Sequence, residues 1–585
     1  MRLSVVGLAL IVACTAVPAT TTTTQAPPTT TAAPTATTVV PTTTTTLKLV
    51  PDPDFTIRIG VNSIPLFDPI LNELVISEAG PYGLPQQPSL YRLVPPTSTL
   101  IPMLAADPTP PLGQASDDGW EIIVNLRTGV TWSDGTPVDA HDVAYTYQVL
   151  EGAAPWRFSH TVEAVDDFTV RYVWEERPTT NIWQFEVALA PIFSADFWRA
   201  QPERTDTLDF IPELDPTTIP TTGPYRLAEV GDDYDGWALE AVPDWWETGS
   251  TFTVWRNGAV RYRNPTLDLD ETYGTPDGEV VAEWTVGPYA ARIEYSVLSY
   301  QDELEAFRSG EIDLMLRDVN VPSGIPDLGS QAALVTGRYG PTWVAFDTSA
   351  PPFDDVAVRR AIACAFDPLF LAEEVLPGEI LPPTGWGLGL GAWWEDAAPA
   401  CDGAETGNIL EGVLVGAVLV RPPESAPIPA TAASWVYDWL AELGAEPIEG
   451  FLEIFSRESF FGRTDVAEFA VVGVGVDQYR LVVAPRMLRV IGGWEPPEAQ
   501  VLLDRIQDAY DLETEQTAYR EFWRLMAKEV PAVPILNRIL VEAFNSETIA
   551  PPFLTPANGG FTTPLRGGLQ AWEAWIIPAT RPADG

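Results

Sequence analysis

Residues 132–147 read WSDGTPVDAHDVAYTY, and within this stretch turn-forming residues give way to helix-forming ones. Residues 133–137 favour a turn, since Gly permits a positive φ and Pro fixes the backbone where the turn ends. Asp139 is suited to cap a helix N-terminus, and Asp142 to occupy the third helical position, where a carboxylate favours the helix dipole. The pattern predicts a turn followed by a helix that begins near Ala140.

Strand-like and helix-like periods alternate on both sides of this stretch. Apolar and polar residues alternate as in strands at residues 55–61, 120–126, 168–173 and 293–297. Helical periods occur at residues 142–150, 301–308, 356–366, 435–443 and 498–527. Because strands and helices mix without a simple repeat, and 57 Pro and 43 Gly are spread through the connections, we expect a multi-lobed α/β body rather than a barrel, a bundle or a solenoid.

Composition excludes several functional classes. At roughly 100 to 200 residues per domain, the 585 residues suggest about three or four folded units. The formal charge of −48 argues against nucleic-acid binding, which draws its affinity from Lys and Arg, and indicates a solvated acidic surface. The only lysines are Lys48 and Lys528, and the only histidines are His141 and His160. The chain therefore has little material for a histidine-rich metal site or a nucleophile–histidine pair, and we expect no metal, no cofactor and no catalytic residues.

The N-terminus predicts export. Arg2 precedes an apolar run at residues 3–13, which matches a signal-peptide core and is shorter than the ~20 residues of a membrane-spanning helix. Cys14 follows Ile-Val-Ala, which resembles the lipobox of bacterial lipoproteins, so we expect cleavage before Cys14 and its lipidation. Ordinary cleavage after Ala19 is the alternative and would release the protein. The signal peptide is thus assigned to residues 1–19, and the protein to the outer face of the cell membrane or to the periplasmic or secreted space.

Two further features accompany the export signal. Residues 20–50 are rich in Thr and Pro, with little apolar surface to offset the entropy of ordering, so they are predicted to form a disordered tether. Cys364 and Cys401 are the remaining cysteines, and an oxidising compartment favours a disulfide between them. Two buried free thiols are the alternative, and neither cysteine has the spacing of a metal ligand.

The opening stretch and its flanks carry a family resemblance. Residues 126–143 give the pattern LRxGVxWSDGTPVxAxDV, which resembles the signature of the extracytoplasmic solute-binding proteins of the peptide and nickel ABC-transporter family, family 5. Further fragments follow in the order that this family shows, at residues 100–105, 165–170, 223–227, 243–246, 307–314, 351–362 and 530–535. The resemblance covers roughly residues 55–545 and weakens between residues 401 and 493.

The resemblance implies an α/β, two-lobed, periplasmic-binding-protein-like fold of class II, cluster C type, with three discontinuous domains and a hinge. Domain I would comprise residues 51–88, 222–340 and 531–585, domain II residues 89–221, and domain III residues 341–530. Such proteins close over a small ligand and deliver it to ABC permease subunits without chemistry. We therefore expect a monomer that is not an enzyme, with a peptide or another small molecule as its ligand.

The resemblance also suggests two ligand-binding residues. Peptide-binding relatives pair an aspartate with the α-amino group of the peptide, and residues 468–477, EFAVVGVGVD, align without a gap to place Asp477 there. Val474 stands where relatives have Trp, and QYRL at residues 478–481 replaces their continuation, so a loop aspartate that caps the next turn is the alternative. Trp156 occupies a place where relatives have an aromatic residue that lines the cleft, although a core position would suit it equally.

The sequence is compatible with two rival functions. An extracellular hydrolase is conceivable because 81 carboxylates offer many acid and base pairs, but no spacing indicates one. A sensor or surface-binding protein on the same fold is suggested by the Thr-rich tether and by the altered sequence after Asp477. Neighbouring permease and ATPase genes would favour transport over a sensor.

Overall fold

Strands and helices alternate along the part of the chain that the computed structural model describes. The described residues are 52–61, 67, 87–97, 99–153, 160–201, 214–232, 235–316, 319, 326–376, 380–383, 392, 398–401, 407–419, 435–436, 438–447, 452–453, 470–476 and 494–549. The strands are β1 (Asp52–Val61), β2 (Tyr91–Val94), β3 (Thr99–Pro102), β4 (Gln114–Ser116), β5 (Gly119–Asn125), β6 (Thr161–Asp166), β7 (Thr169–Trp174), β8 (Tyr225–Val230), β9 (Gly236–Ala241), β10 (Thr251–Trp255), β11 (Val260–Asn264), β12 (Leu269–Tyr273), β13 (Val280–Thr285), β14 (Ala290–Val297), β15 (Leu314–Met315), β16 (Ala332–Phe346), β17 (Ile380–Leu381), β18 (Leu414–Leu419), β19 (Glu446–Pro447), β20 (Leu452–Glu453), β21 (Ala470–Val476) and β22 (Ala532–Asn545).

The helices are mostly short. They are α1 (Ala140–Ala153), α2 (Ala195–Arg199), α3 (Tyr300–Ser309), α4 (Val356–Ala365), the single turn α5 (Pro368–Phe370), α6 (Pro497–Gln507) and α7 (Leu512–Glu529). Among the described residues there are also two π-helices, Asn181–Val187 and Leu371–Val375, and one 3₁₀ turn, Pro216–Thr218. Residues 435–436 and 438–442 are also helical.

Most of the elements that the sequence predicts are confirmed. The alternating segments at residues 55–61, 120–126, 168–173 and 293–297 lie in β1, β5, β7 and β14, and the helical periods at 142–150, 301–308 and 356–366 lie in α1, α3 and α4. The start of α1 at Ala140 matches the expected cap. The prediction of one helical segment at residues 498–527 is wrong, because α6 ends at Gln507 and α7 starts at Leu512.

One large sheet crosses the molecule. Its main path runs β19-β18-β21-β16-β22-β15-β1-β14-β9-β8, while β17 pairs with β22 and β20 with β18. The long strands β16 and β22 run antiparallel in the middle, from the pair Ala332–Asn545 to the pair Ala345–Ala532. The strands on one side of this pair, β18, β19 and β21, come from the segment of chain between β16 and β22. The strands on the other side come from the segment before β16, so β16 and β22 connect two bodies.

Separate hydrophobic cores define the two bodies, here called lobe 1 and lobe 2. The cores of lobe 1 draw buried side chains from residues 57–328 and 541–549. The cores of lobe 2 draw theirs from residues 344–536. Because the apolar side chains of each lobe pack mainly among themselves, each lobe has its own stabilising core and the chain passes between the lobes through β16 and β22.

Two small sheets extend lobe 1. One has the order β4-β5-β7-β6 and packs against α1, and the other has the order β12-β11-β10-β13. In the second sheet the inward residues Phe252, Val254 and Tyr262 are buried, while Arg261 on the outer face pairs with Asp270. The alternation of buried and exposed residues is that of an antiparallel sheet with one solvated face.

Asp511 explains the break between α6 and α7 and provides a test of it. Its carboxylate accepts hydrogen bonds from the amide and the hydroxyl of Thr514, both at 2.8 Å. We expect Asp511→Ala to lower the free energy of unfolding by about 1 kcal/mol, since the first turn of α7 loses its N-cap. Urea denaturation of the variant beside Asp511→Asn, which retains a capping oxygen, measures the effect. Equal losses in the two variants would contradict the capping role.

Candidate functional site

The junction between the lobes has the features of a hinge. The register of β16 against β22 shifts between Arg338 and Pro341, and again between Thr342 and Trp343. Such irregularities interrupt the ladder of main-chain hydrogen bonds and bend the strand. Two lobes that are joined by strands with an interrupted hydrogen-bond ladder can rotate about those strands, as in hinge closure around a ligand.

The strand that leads to Asp477 ends at this junction. β21 lies between β16 and β18, and its last residue, Val476, is in register with Thr342. Gly475 lies opposite Trp343, one residue earlier. Asp477 itself lies outside the described residues, as do Trp156 and Cys14. The described strand therefore brings the chain that precedes Asp477 to the point where the lobes meet.

The stretch at residues 132–147 forms a scaffold around one buried carboxylate. Asp142 is 5% exposed. It accepts hydrogen bonds from Trp132 Nε1 at 2.9 Å, from the amide of Ala195 at 2.7 Å and from the amide of Asp139 at 3.2 Å. Asp139 in turn accepts from the amide of Asp142 at 3.2 Å, which completes a reciprocal cap. The signature thus joins the turn, α1 and α2 within lobe 1.

Burial is the largest influence on the pKa of Asp142. Removal from water raises its pKa above the ordinary value of an aspartate, because the charged form loses hydration. The hydrogen bonds from Ala195, Trp132 and Asp139 lower the pKa and offset only part of this rise. The same three donors hold the carboxylate in place, so its role is to connect elements of the scaffold.

The two histidines lie apart. His141 is exposed at the start of α1, with Nε2 3.8 Å from Asp167 Oδ1. His160 is buried and stacks on Trp174, with ring centroids 4.6 Å apart, in a cluster with Tyr147 and Tyr172. Among the described residues there is no group of three or more His, Cys, Asp or Glu that could hold a metal ion.

Cys364 and Cys401 form a disulfide, with an S–S distance of 2.03 Å and 5.5 Å between the Cα atoms. Cys364 lies in α4, and Cys401 lies 37 residues later in an exposed position of lobe 2. The bond closes a loop that includes Trp386, Trp393 and Trp394, of which the structure describes none. The disulfide therefore ties Cys401 to α4.

A buried ion pair that sequence reasoning missed fixes the second small sheet to the rest of lobe 1. Arg92 in β2 donates to both carboxylate oxygens of Glu247, with Nη1 to Oε2 at 2.8 Å. The guanidinium lies 5.1 Å from the ring centroid of Phe252 and 5.3 Å from that of Tyr262. The Tyr262 hydroxyl also donates to Glu247, at 2.7 Å. No local pattern signals a pair 155 residues apart.

The described helices include none that is both long enough and apolar enough to cross a membrane.

A family model described as bacterial extracellular solute-binding proteins, family 5 Middle, matches residues 99–404, which is more than half of the chain. Oligopeptide-binding protein OppA of Bacillus subtilis is 23% identical over 276 residues, which are 46% of this chain and 46% of OppA. The uncharacterized protein YejA of Escherichia coli is 23% identical over 265 residues, 43% of this chain and 37% of YejA. The chain thus spans less than half the length of these curated relatives.

Solved structures match over a larger share of the chain. The ABC transporter substrate-binding protein CtaP of Listeria monocytogenes aligns with a TM-score of 0.57 at 14% identity, over 90% of this chain and 99% of CtaP. A nickel ABC transporter structure from Bacillus halodurans aligns with a TM-score of 0.60 at 15% identity, over 86% and 98%. An ABC transporter substrate-binding protein of Sinorhizobium meliloti gives 0.59 at 15%, over 90% and 100%. The two-lobed α/β periplasmic-binding fold expected from the sequence is thereby confirmed.

Proposed function

The chain belongs to the bacterial extracellular solute-binding proteins of family 5, and from this premise we propose that it captures a peptide or peptide-like ligand between its lobes and delivers it to the permease of an ABC importer. The observation that carries the proposal is the presence of two lobes with separate cores, connected by β16 and β22 and matched by solute-binding proteins over most of their length. A binding protein of this design performs no chemistry on its ligand. The hydrolase alternative is therefore set aside.

The peptide class draws its support from two sources. The curated relative OppA is named an oligopeptide-binding protein. In addition, β21 ends at Val476 beside the hinge, immediately before Asp477 in the sequence. A carboxylate at the boundary between two lobes is favoured when a cation shares the site, and the α-amino group of a peptide supplies one. We propose that Asp477 binds this group and that Trp156 lines the same cleft.

The proposed location follows from the N-terminal sequence. Lipidation of Cys14 would hold the protein at the outer face of the cell membrane, and residues 20–50 would separate the lobes from the lipid surface. This arrangement suits a protein that collects a solute and passes it to membrane subunits. Delivery to a permease distinguishes an importer from a sensor, which would bind the same ligand without neighbouring permease and ATPase genes.

Thermal stabilisation by peptides tests the proposed ligand class. We expect some members of a peptide library to raise the melting temperature of the purified protein, because a ligand that binds only the folded state stabilises it. Asp477→Asn should weaken binding of these peptides about 10- to 100-fold through loss of a charge-assisted hydrogen bond. Asp438→Asn, which changes an exposed aspartate of lobe 2, serves as the matched control and should bind like the parent.

Peptides with an acetylated N-terminus sharpen this test. The parent protein should bind a free peptide more tightly than its acetylated form, and Asp477→Asn should lose this discrimination. If peptides bind but the parent and the variant discriminate equally, Asp477 is not the amine-binding residue. If no peptide in the library shifts the melting temperature, and mass spectrometry finds a co-purified ligand of another class, the peptide assignment is wrong although the family remains.

A further inference from the structure

A second connection between the lobes lies outside the hinge strands. The turn between α6 and α7 of lobe 2 reaches lobe 1 at the start of the π-helix Asn181–Val187. There the carbonyl oxygen of Ala509 accepts two hydrogen bonds from Thr180, from the amide at 2.7 Å and from the hydroxyl at 2.9 Å. Thr180 is 1% exposed and Ala509 3% exposed, so these polar groups are withdrawn from water.

Arg177 adds a second contact next to this one. Its guanidinium carbon lies 4.9 Å from the ring centroid of Trp120 in lobe 1 and 4.6 Å from that of Tyr510 in lobe 2. The cation is therefore held between one aromatic ring from each lobe. Arg177 Nη2 also donates to the carbonyl of Tyr510 at 3.4 Å. A hydrogen bond of this length is weak, so the stacking is the stronger part of the contact.

Apolar packing completes the connection. Leu512, the first residue of α7 in lobe 2, packs against the main core of lobe 1. The contact thus combines the two hydrogen bonds from Thr180, the weaker one from Arg177, a cation between two rings and a partly buried leucine. A rotation of lobe 2 that carries the turn after α6 away from Thr180 breaks these contacts, because the turn belongs to one lobe and Thr180 to the other.

We infer that Arg177 and Thr180 of lobe 1, with Ala509, Tyr510 and Leu512 of lobe 2, form an interlobe latch. Before any ligand is bound, the latch favours the arrangement in which these groups touch, here called the closed arrangement. A latch of this kind raises the population of the closed state, and the apparent ligand affinity rises with that population. Arg177 and Thr180 are positioning residues in this scheme, since they act on the ligand through the angle between the lobes. The inference rests on the proposed solute-binding function but not on the peptide as ligand.

Distance measurement between the lobes tests the latch without a ligand. Spin labels are attached through ketone-bearing unnatural residues in place of Val165 in lobe 1 and Val501 in lobe 2, which are 56% and 58% exposed. Pulsed electron paramagnetic resonance then gives the distance distribution of the full chain. In the double variant Arg177→Ala/Thr180→Val, we expect the ratio of open to closed populations to rise about tenfold, because a hydroxyl hydrogen bond and the cation–ring stacking are lost.

A matched control removes the same chemical groups elsewhere. Arg256→Ala/Thr253→Val deletes an arginine that pairs with Glu279 and a hydroxyl that contacts Glu283, all within lobe 1. This control should keep the parent's distance distribution. Tyr510→Leu, which removes a ring but leaves the Ala509 carbonyl, should give a smaller shift toward the open state and provides a second test if the double variant does not fold.

The outcomes separate the latch from the proposed ligand. An open population that grows in the double variant and in Tyr510→Leu, but not in the control, supports the latch. Unchanged distributions in Tyr510→Leu and in the folded double variant overturn it, since the contact would then move with the hinge. Because no ligand is present, failure of the peptide library leaves this result standing, and failure of the latch leaves the peptide proposal standing.

Discussion

Replacement of Glu247 by glutamine is expected to lower the free energy of unfolding by about 3–5 kcal/mol, because it leaves the buried guanidinium of Arg92 without its countercharge. Glu247 is 1% exposed and Arg92 7% exposed. Glutamine keeps the size of the side chain, so the loss reports the charge and its hydrogen bonds rather than a cavity. Urea denaturation of the purified protein, monitored by tryptophan fluorescence, measures the difference.

Two comparisons isolate the cause of this loss. Glu279→Gln breaks the exposed pair with Arg256 and should change stability by less than about 1 kcal/mol. The double variant Arg92→Met/Glu247→Leu removes both charges and should recover much of the stability that Glu247→Gln loses, since apolar side chains of similar volume avoid the desolvation of two ions. If Glu247→Gln and Glu279→Gln behave alike, the buried pair does not stabilise lobe 1 as described.

Asp142→Ala is expected to cost about 3 kcal/mol or more, because it leaves three donors without an acceptor where water has little access. The donors belong to the turn at Trp132, to the start of α1 and to α2, so their loss loosens three elements together. Asp134→Ala is the control, since Asp134 accepts hydrogen bonds from Thr136 in an exposed turn of the same stretch. The control should lose less than about 1 kcal/mol. Similar losses in both variants would mean that Asp142 does not connect these elements.

The raised pKa of Asp142 adds a pH dependence to this prediction. Since the pKa in the folded state lies above that in the unfolded state, the group contributes stability that is fully present below the unfolded pKa and is lost as pH rises through the folded pKa. The difference in unfolding free energy between the parent and Asp142→Asn should therefore shrink as pH rises across this window. A difference that grows with pH would mean that the three donors outweigh burial.

Local chemistry made the start of α1 predictable. The cap at Asp139 and the carboxylate of Asp142 act within a few residues of Ala140, so the sequence contains all the information needed to place the helix. The hydrogen bond from the amide of Ala195 to Asp142 joins residues 53 apart and has no local signature. The sequence thus identifies the cap, but not the buried hydrogen bonds by which the same carboxylate connects the turn, α1 and α2.

The break between α6 and α7 shows a different limit. Apolar residues keep a helical period on both sides of Asp508, so the pattern alone runs through it. The signal of the break is Asp511, because an aspartate before a helical run that starts at Leu512 is a capping residue, and here it accepts from the amide of Thr514. A continuous helix would leave no turn at Ala509 and Tyr510, so the pattern also gives no sign of the proposed latch.

The proposed ligand-binding residues are the part of the molecule that the sequence predicts least directly. Asp477 and Trp156 were proposed from resemblance alone, and both lie outside the described residues. Of the chain before Asp477 the structure describes β21, whose last residue, Val476, is in register with Thr342. Contacts within a cleft depend on two lobes that are distant in sequence, so patterns along one segment carry little information about them.

The passage of the chain through β16 and β22 has a consequence for how such proteins diversify. Apart from residues of β16 and β22 themselves, lobe 2 comes from the segment between these two neighbouring strands, so a genetic exchange with junctions near residues 346 and 532 would replace most of this lobe as one cassette. Such an exchange would not change the turn at Trp132, the buried carboxylate of Asp142 or the Arg92–Glu247 pair. One recombination event could in this way exchange lobe 2 while lobe 1 keeps its own separate core.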